Sequence, residues 1–255
     1  MAGVTALNAD AMGSVTQHEA RVDLAAAFRL AVLNDWHEAV ANHFSLAVSD
    51  DGKSFLMNPK WMHFSRIRAS NLLLLHADDP AALQRADAPD PSAWCIHGAM
   101  HAALPQARCI LHVHAPYATA LCALKDPDIK PVDQNTARFF NRCAIDLNYG
   151  GIADTAAEGA RLVRVLGNRQ IMLMGNHGVL IAAPDVAQAY DQLYYLERAC
   201  RTLMLAYSTG QPLNLMPVAL AERTACDWED YTDSCRVHFS EMKRVLDKSD
   251  SSFRL

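Results

Sequence analysis

The sequence predicts an α/β layered fold around a mixed central sheet, and three observations lead there. Apolar runs of strand length alternate with capped, amphipathic helical segments, as in helices layered on a sheet. An early pair of β-type runs is joined by Asp50-Asp51-Gly52-Lys53, so part of that sheet is antiparallel. With 255 residues, 51% of them hydrophobic and 20% charged, the chain can bury one large core. No repeat, low-complexity block or linker divides it, and 1–255 is read as a single domain.

Residues 1–15 lack a basic stretch followed by an apolar block and are expected to be disordered. Thr16-Gln17-His18-Glu19 is a capping-box pattern, and Val22, Ala26, Leu30 and Leu33 then give a helix of about five turns. Strands over 43–48 and 54–57 form the hairpin, and Asn58-Pro59 ends it. A short buried strand over 72–75 leads into an Asp/Pro/Ala-rich loop over 77–91 and a helix over 92–104.

A strand over 109–113 precedes a helix opened by Pro116 and running to Leu124. A second capping box, Thr155-Ala156-Ala157-Glu158, starts a helix that Gly167 stops after Leu166. Strands over 171–174 and 179–182 flank a turn, and Pro184 opens a long helix through Tyr207. The remainder, 212–255, is a polar C-terminal extension whose aromatics Trp228, Tyr231, Phe239 and Phe253 are expected to pack on another subunit.

A net charge of -5, without a clustered basic surface, argues against nucleic acid or an anionic membrane as partner. No apolar run approaches membrane-spanning length. Seven scattered cysteines, odd in number and without a CxxC pair, read as reduced core thiols of a cytoplasmic protein.

The chemistry concentrates at His112-Val113-His114. In an extended segment, residues two apart share a face, so both imidazoles can reach one divalent cation. His177, in Gly175-Asn176-His177-Gly178, is the third candidate. Three neutral imidazoles with one open position make a catalytic metal site rather than a sealed structural one. Zinc is the first expectation, with manganese or iron as alternatives that the ligand types alone do not separate.

Around these histidines lie Trp94-Cys95-Ile96-His97-Gly98-Ala99-Met100-His101, Leu104-Pro105-Gln106-Ala107, Leu111-His112-Val113-His114-Ala115-Pro116 and Gly175-Asn176-His177-Gly178-Val179-Leu180. With Asn42-His43-Phe44-Ser45, Asn58-Pro59 and Tyr195-Leu196-Glu197-Arg198-Ala199-Cys200, this ordered series resembles the class II aldolase/adducin family over about 19–207. The resemblance implies a three-layer α/β/α sandwich and, as in well-studied members, a ring-shaped homotetramer with a metal site near each subunit interface. Carried over by position, the family's metal histidines fall on His112, His114 and His177.

The departures are equally informative. Where the family's sugar-phosphate aldolases place a metal-binding, proton-transferring glutamate before the tryptophan matching Trp94, this chain has Ala93, which can do neither. Lys60-Trp61 replaces a Thr/Ser-Gly pair of the family's phosphate sites, and only Ser92 remains of a serine pair. A sugar-phosphate substrate is therefore not expected.

Other groups are candidates beside plainer readings. His97 and His101, one helical turn apart, are catalytic candidates for proton transfer or hydrogen-bonding residues within the layer. Tyr117 offers a phenol or simply packs at a helix start. Arg138, with Gln134 nearby, either fixes a substrate carboxylate or holds a loop by an ion pair, and Ser92 is a third substrate-binding candidate. The leading function is a metal-dependent carbon–carbon lyase, aldolase-like or decarboxylating, on a small carbonyl or hydroxy-acid substrate. The alternatives are a ferrous-iron-dependent oxygenase on the same scaffold and a non-catalytic adducin-like interaction domain.

Overall fold

Seven short strands assemble into one sheet: β1 (His43–Ala47), β2 (Ser54–Met57), β3 (Leu73–His76), β4 (Cys109–Val113), β5 (Cys143–Asp146), β6 (Ile171–Met174) and β7 (Gly178–Ala183). The computed structural model describes residues 5–151, 155–231 and 233–255, with side chains from residue 17 onward. The strand order is β3-β2-β1-β4-β7-β6-β5. Only β5 and β6 run parallel among these pairs, so the sheet is mixed, as the hairpin required.

Both faces are covered. On one, Leu111, Val113, Val179 and Ile181 pack against α1 (Thr5–Leu33), α3 (Pro116–Cys122), α6 (Val186–Ser208) and α8 (Ser234–Ser249). On the other, Ile110, Met172, Leu180 and Ala182 meet α2 (Pro91–Ala103) and α5 (Ala156–Leu166). This is the three-layer α/β/α sandwich. The period-two alternation of β4 decides where its histidine points: Leu111 and Val113 face the large core, so His112 must face the layer of α2. Every residue of β4 is buried, as suits a central strand covered on both sides.

Several boundaries differ from the sequence expectation. α1 runs from Thr5, so the capping box at Thr16 lies inside a helix. Ala, Leu and Met, frequent between residues 6 and 12, are strong helix formers, and the backbone continues through them. Of the stretch expected to be disordered, residues 1–4 lie outside the described residues. The long helix is opened not by Pro184 but by Asp185, whose side chain accepts from the Gln188 amide. Two short elements, α4 (Gln134–Ala137) and β5, lie where no element was expected.

The largest correction concerns the C-terminal extension, which forms α7 (Val218–Asp230) and α8. Phe239 and Phe253 are 2% and 0% exposed within this chain's own core, so they need no second subunit to cover them. A polar composition concealed helical spacing at Cys235, Phe239, Met242 and Leu246. Among the described residues no disulfide forms, though Cys226 is exposed rather than part of the core. No described helix is long and apolar enough to cross a membrane.

Candidate metal centre

β4 presents His112 on the sheet face covered by α2, with His43 of β1 opposite it on one side and Leu180 of β7 on the other. His114 comes two residues later, and His177 sits in the turn between β6 and β7, where Asn176 takes φ 56°. The ring centroids of His112 and His114 are 5.1 Å apart, and His177 lies 4.8 Å from each. One nitrogen from each ring falls within 4.8 Å of the other two. Strand register and one tight turn thus gather the three expected ligands.

The hydrogen-bond partners settle which nitrogens are available. His112 Nδ1 donates to the Val179 carbonyl at 3.0 Å, and since a carbonyl only accepts, Nε2 keeps its lone pair. His114 Nδ1 donates to Glu38 Oε2 at 2.7 Å, the carboxylate partner typical of metal-ligating histidines. Its Nε2 is buried and has no hydrogen-bond partner. Burial pushes His112 far below the usual imidazole range, and burial together with His114 pushes His177 down to about 4. His112 and His177 are therefore neutral at pH 7, as ligation requires. An orphaned buried nitrogen beside two neutral imidazoles fits a divalent cation of the nitrogen-preferring kind.

Gly178 makes the approach possible. A Cβ there would lie 2.6 Å from His114 Cδ2 and 2.7 Å from the Val113 carbonyl oxygen. The backbone also carries strain nearby, since Asn42 and Trp61 have φ of 73° and 63° and both line the cavity in front of the histidines.

That cavity is about 310 Å³, and its wall includes His43, Lys60, Asp90, Ser92, Ala93 and Tyr149. Ser92 lies on that wall, with its hydroxyl donating to Asp90 at 2.6 Å. Ala93, 1% exposed, offers no polar group. His97 and His101 do not line the cavity: both are buried behind it and hydrogen-bonded to Ser45. They take the plainer role, bonding within the layer.

Tyr117 also lies away from the cavity, with Arg201 over its ring and its amide bonded to Glu197. Arg138 donates to Asp191 at 2.5 Å and stacks on Tyr195 and Trp228, beside a separate depression of about 560 Å³. Gln134 lies in another shallow surface near Leu220. In this chain neither reaches the three histidines, and Arg138 takes the ion-pair role. Three residues that sequence reasoning missed do reach them: Glu38, His43 and Tyr149, whose ring is 5.5 Å from His177. His43 stands within a recognised motif, whereas nothing in the sequence distinguishes Glu38 or Tyr149.

The family model described as the class II aldolase and adducin N-terminal domain matches residues 22–204. The chain belongs to the class II aldolase and adducin family. A Caulobacter vibrioides relative named "putative aldolase class 2 protein" is 31% identical over 198 residues, 78% of this chain and 76% of that one. An aldolase II superfamily protein from Pseudomonas syringae superposes with TM-score 0.85 and 32% identity, covering 94% of this chain and 96% of that chain. An L-fuculose 1-phosphate aldolase from Glaciozyma antarctica shares the fold at TM-score 0.80 and 19% identity, over 95% and 94% of the two chains. His112 lies on β4, His114 directly after it, and His177 in the turn joining β6 to β7, so the sheet is also the frame of the site.

Proposed function

We propose that His112, His114 and His177 hold a divalent cation, zinc ahead of manganese and iron, and that this class II aldolase family member is a metal-dependent carbon–carbon lyase. Its substrate is a small carbonyl or hydroxy-acid compound, cleaved in an aldolase-like or decarboxylating reaction. The observation that carries the reading is the buried, unpartnered Nε2 of His114 beside the two other imidazoles.

When bound, such a cation supplies an electrophile that draws negative charge from a substrate carbonyl or hydroxyl oxygen. The chain's own groups do the rest. Val179 and Glu38 hold the ligand rings in the required tautomer. A cavity of about 310 Å³ lies at the small end of ligand pockets and favours a compact substrate. Ala93 moves no proton, which favours decarboxylation or an acid/base group elsewhere on the wall. Lys60 is drawn toward Asp90, with Nζ 3.7 Å from Oδ2, and no Thr/Ser-Gly pair accompanies it, so a sugar phosphate is not the substrate we assign. Family membership leads us further to a cytoplasmic homotetramer.

The test is metal analysis of protein purified without chelators, followed by reconstitution. About one divalent cation per chain, lost in His112→Ala, supports the centre; no cation before or after reconstitution overturns it. Release of an aldehyde or carbon dioxide from small hydroxy and keto acids then supports the lyase. Iron-dependent oxygen uptake without either product would replace it with an oxygenase, and bound metal without turnover would favour an interaction module.

A further inference from the structure

Behind the cavity, four groups form one hydrogen-bonded line. His101 Nδ1 is 2.5 Å from the Ala107 carbonyl oxygen, and His101 Nε2 is 2.7 Å from Ser45 Oγ. Ser45 Oγ is 2.5 Å from His97 Nδ1, and His97 Nε2 is 2.7 Å from His43 Nδ1. The line is buried, since Ser45 and His97 are 0% and His101 4% exposed. Among the described residues, no carboxylate is hydrogen-bonded to any member.

Only one end has a fixed direction. The Ala107 carbonyl has no proton to give, so His101 Nδ1 must donate to it. Burial, with Arg108 adding to it against the backbone bond, holds His101 down to about 4. A neutral His101 with Nδ1–H offers Nε2 as an acceptor, and Ser45 spends its single proton there. Ser45 Oγ then accepts from His97 Nδ1–H, which leaves His97 Nε2 to accept from His43 Nδ1–H. Each bond passes the direction to the next, and His43 Nε2 is left with its lone pair.

His43 lines the cavity, and with Nδ1 committed to His97 it has only Nε2 to present there. Its ring stacks on His112 with centroids 4.9 Å apart, so this nitrogen lies next to the metal centre. We infer that the Ala107 carbonyl, acting through His101, Ser45 and His97, locks His43 as a hydrogen-bond acceptor in the cavity and selects ligands that present a hydroxyl donor beside the metal centre. His43 is the specificity-determining group. Ser45, His97 and His101 touch nothing in the cavity and are positioning residues. A ligand lacking the hydroxyl would leave a desolvated acceptor unpaired, which disfavours it about tenfold.

The assignment deepens the proposed metal centre and rests on it for the ligand's place, but the tautomer does not depend on a metal. Metal-free protein labelled with nitrogen-15 histidine, observed by long-range proton–nitrogen correlation at pH 8, should show His43 protonated at Nδ1 and bare at Nε2. In Ser45→Ala the line is cut, and His43 should become a mixture of tautomers while His112, held by Val179, stays as it was. Protonated Nε2 in the wild type overturns the inference, as does an unchanged His43 in the variant. The wild-type spectrum decides the tautomer even if the variant does not fold.

Zinc-loaded protein is then titrated with glycolate and with acetate. The preference for glycolate should fall about tenfold from wild type to His43→Phe, which keeps the ring on His112 and removes the acceptor, and an unchanged preference overturns the ligand selection. Absence of zinc uptake with the expected His43 tautomer would overturn the metal centre alone. Zinc uptake with the opposite tautomer would overturn this inference alone.

Discussion

Glu38 accepts the Nδ1 proton of His114 at 2.7 Å although 76 positions separate them in sequence. The contact sets the ring so that its buried Nε2 faces His112 and His177. Replacing Glu38 with Ala should therefore lower zinc affinity about 10- to 100-fold, measured by competition with a chromogenic chelator. The carboxylate is 53% exposed, so the metal-free protein should lose no more than about 1 kcal/mol of stability. Unchanged zinc affinity would show that Glu38 does not orient the ligand.

Gly178 tests the same geometry from the backbone side. An added Cβ meets the Val113 carbonyl oxygen at 2.7 Å as well as the His114 ring, and the backbone contact cannot be relieved by a side-chain rotation. Gly178→Ala should cost about 1–3 kcal/mol in denaturant unfolding and weaken zinc binding. A variant with wild-type stability and affinity would mean that β4 and β7 can part there without displacing His114.

The sequence carried the pairing of His112 with His114 and the α/β layering because both rest on local signals. A strand's alternation is written in Cys109 to Val113, and the capped helices announce themselves at Thr155 and Gly167. What it did not carry depends on distant contacts. Glu38 reaches His114 from a loop after α1, and β5 is recognisable as a strand only once it pairs with β6. Arg138 looked suited to a carboxylate ligand, and it does bind a carboxylate, but that of Asp191, 53 residues on. His43 lies inside a motif of the family, yet its part becomes visible only through its bond to His97.

Asp191 itself gives a stability prediction. Its carboxylate, 2% exposed, accepts from Arg138 at 2.5 Å and from His238 at 2.7 Å, tying α4's end to α6 and α8. Asp191→Ala strands a guanidinium that is only 10% exposed, and the unfolding free energy should fall by about 3–5 kcal/mol. Zinc stoichiometry should be unchanged where the variant is folded, because none of these groups lines the histidine cavity. Loss of metal at full stability would instead connect Arg138 to the site.

Glu197 and His101 predict opposite pH dependences of stability. Glu197, 7% exposed, accepts the amides of Tyr117 and Ala118 at the start of α3, yet burial outweighs them and pushes its carboxyl up to about 7. Its folded state binds a proton that the unfolded chain has released, so its contribution is full below about 4.5 and is lost as pH rises to about 7. His101, held at about 4 against an ordinary 6.5, contributes fully above 6.5 and loses that contribution as pH falls to about 4. Between 4.5 and 6.5 the two slopes oppose each other, each amounting to about 1.4 kcal/mol per pH unit. Glu197→Gln removes one of them, so urea unfolding of the metal-free variant should show stability rising with pH more steeply than wild type across that window. Parallel profiles would mean that the two backbone donors keep Glu197 ionised in the folded chain.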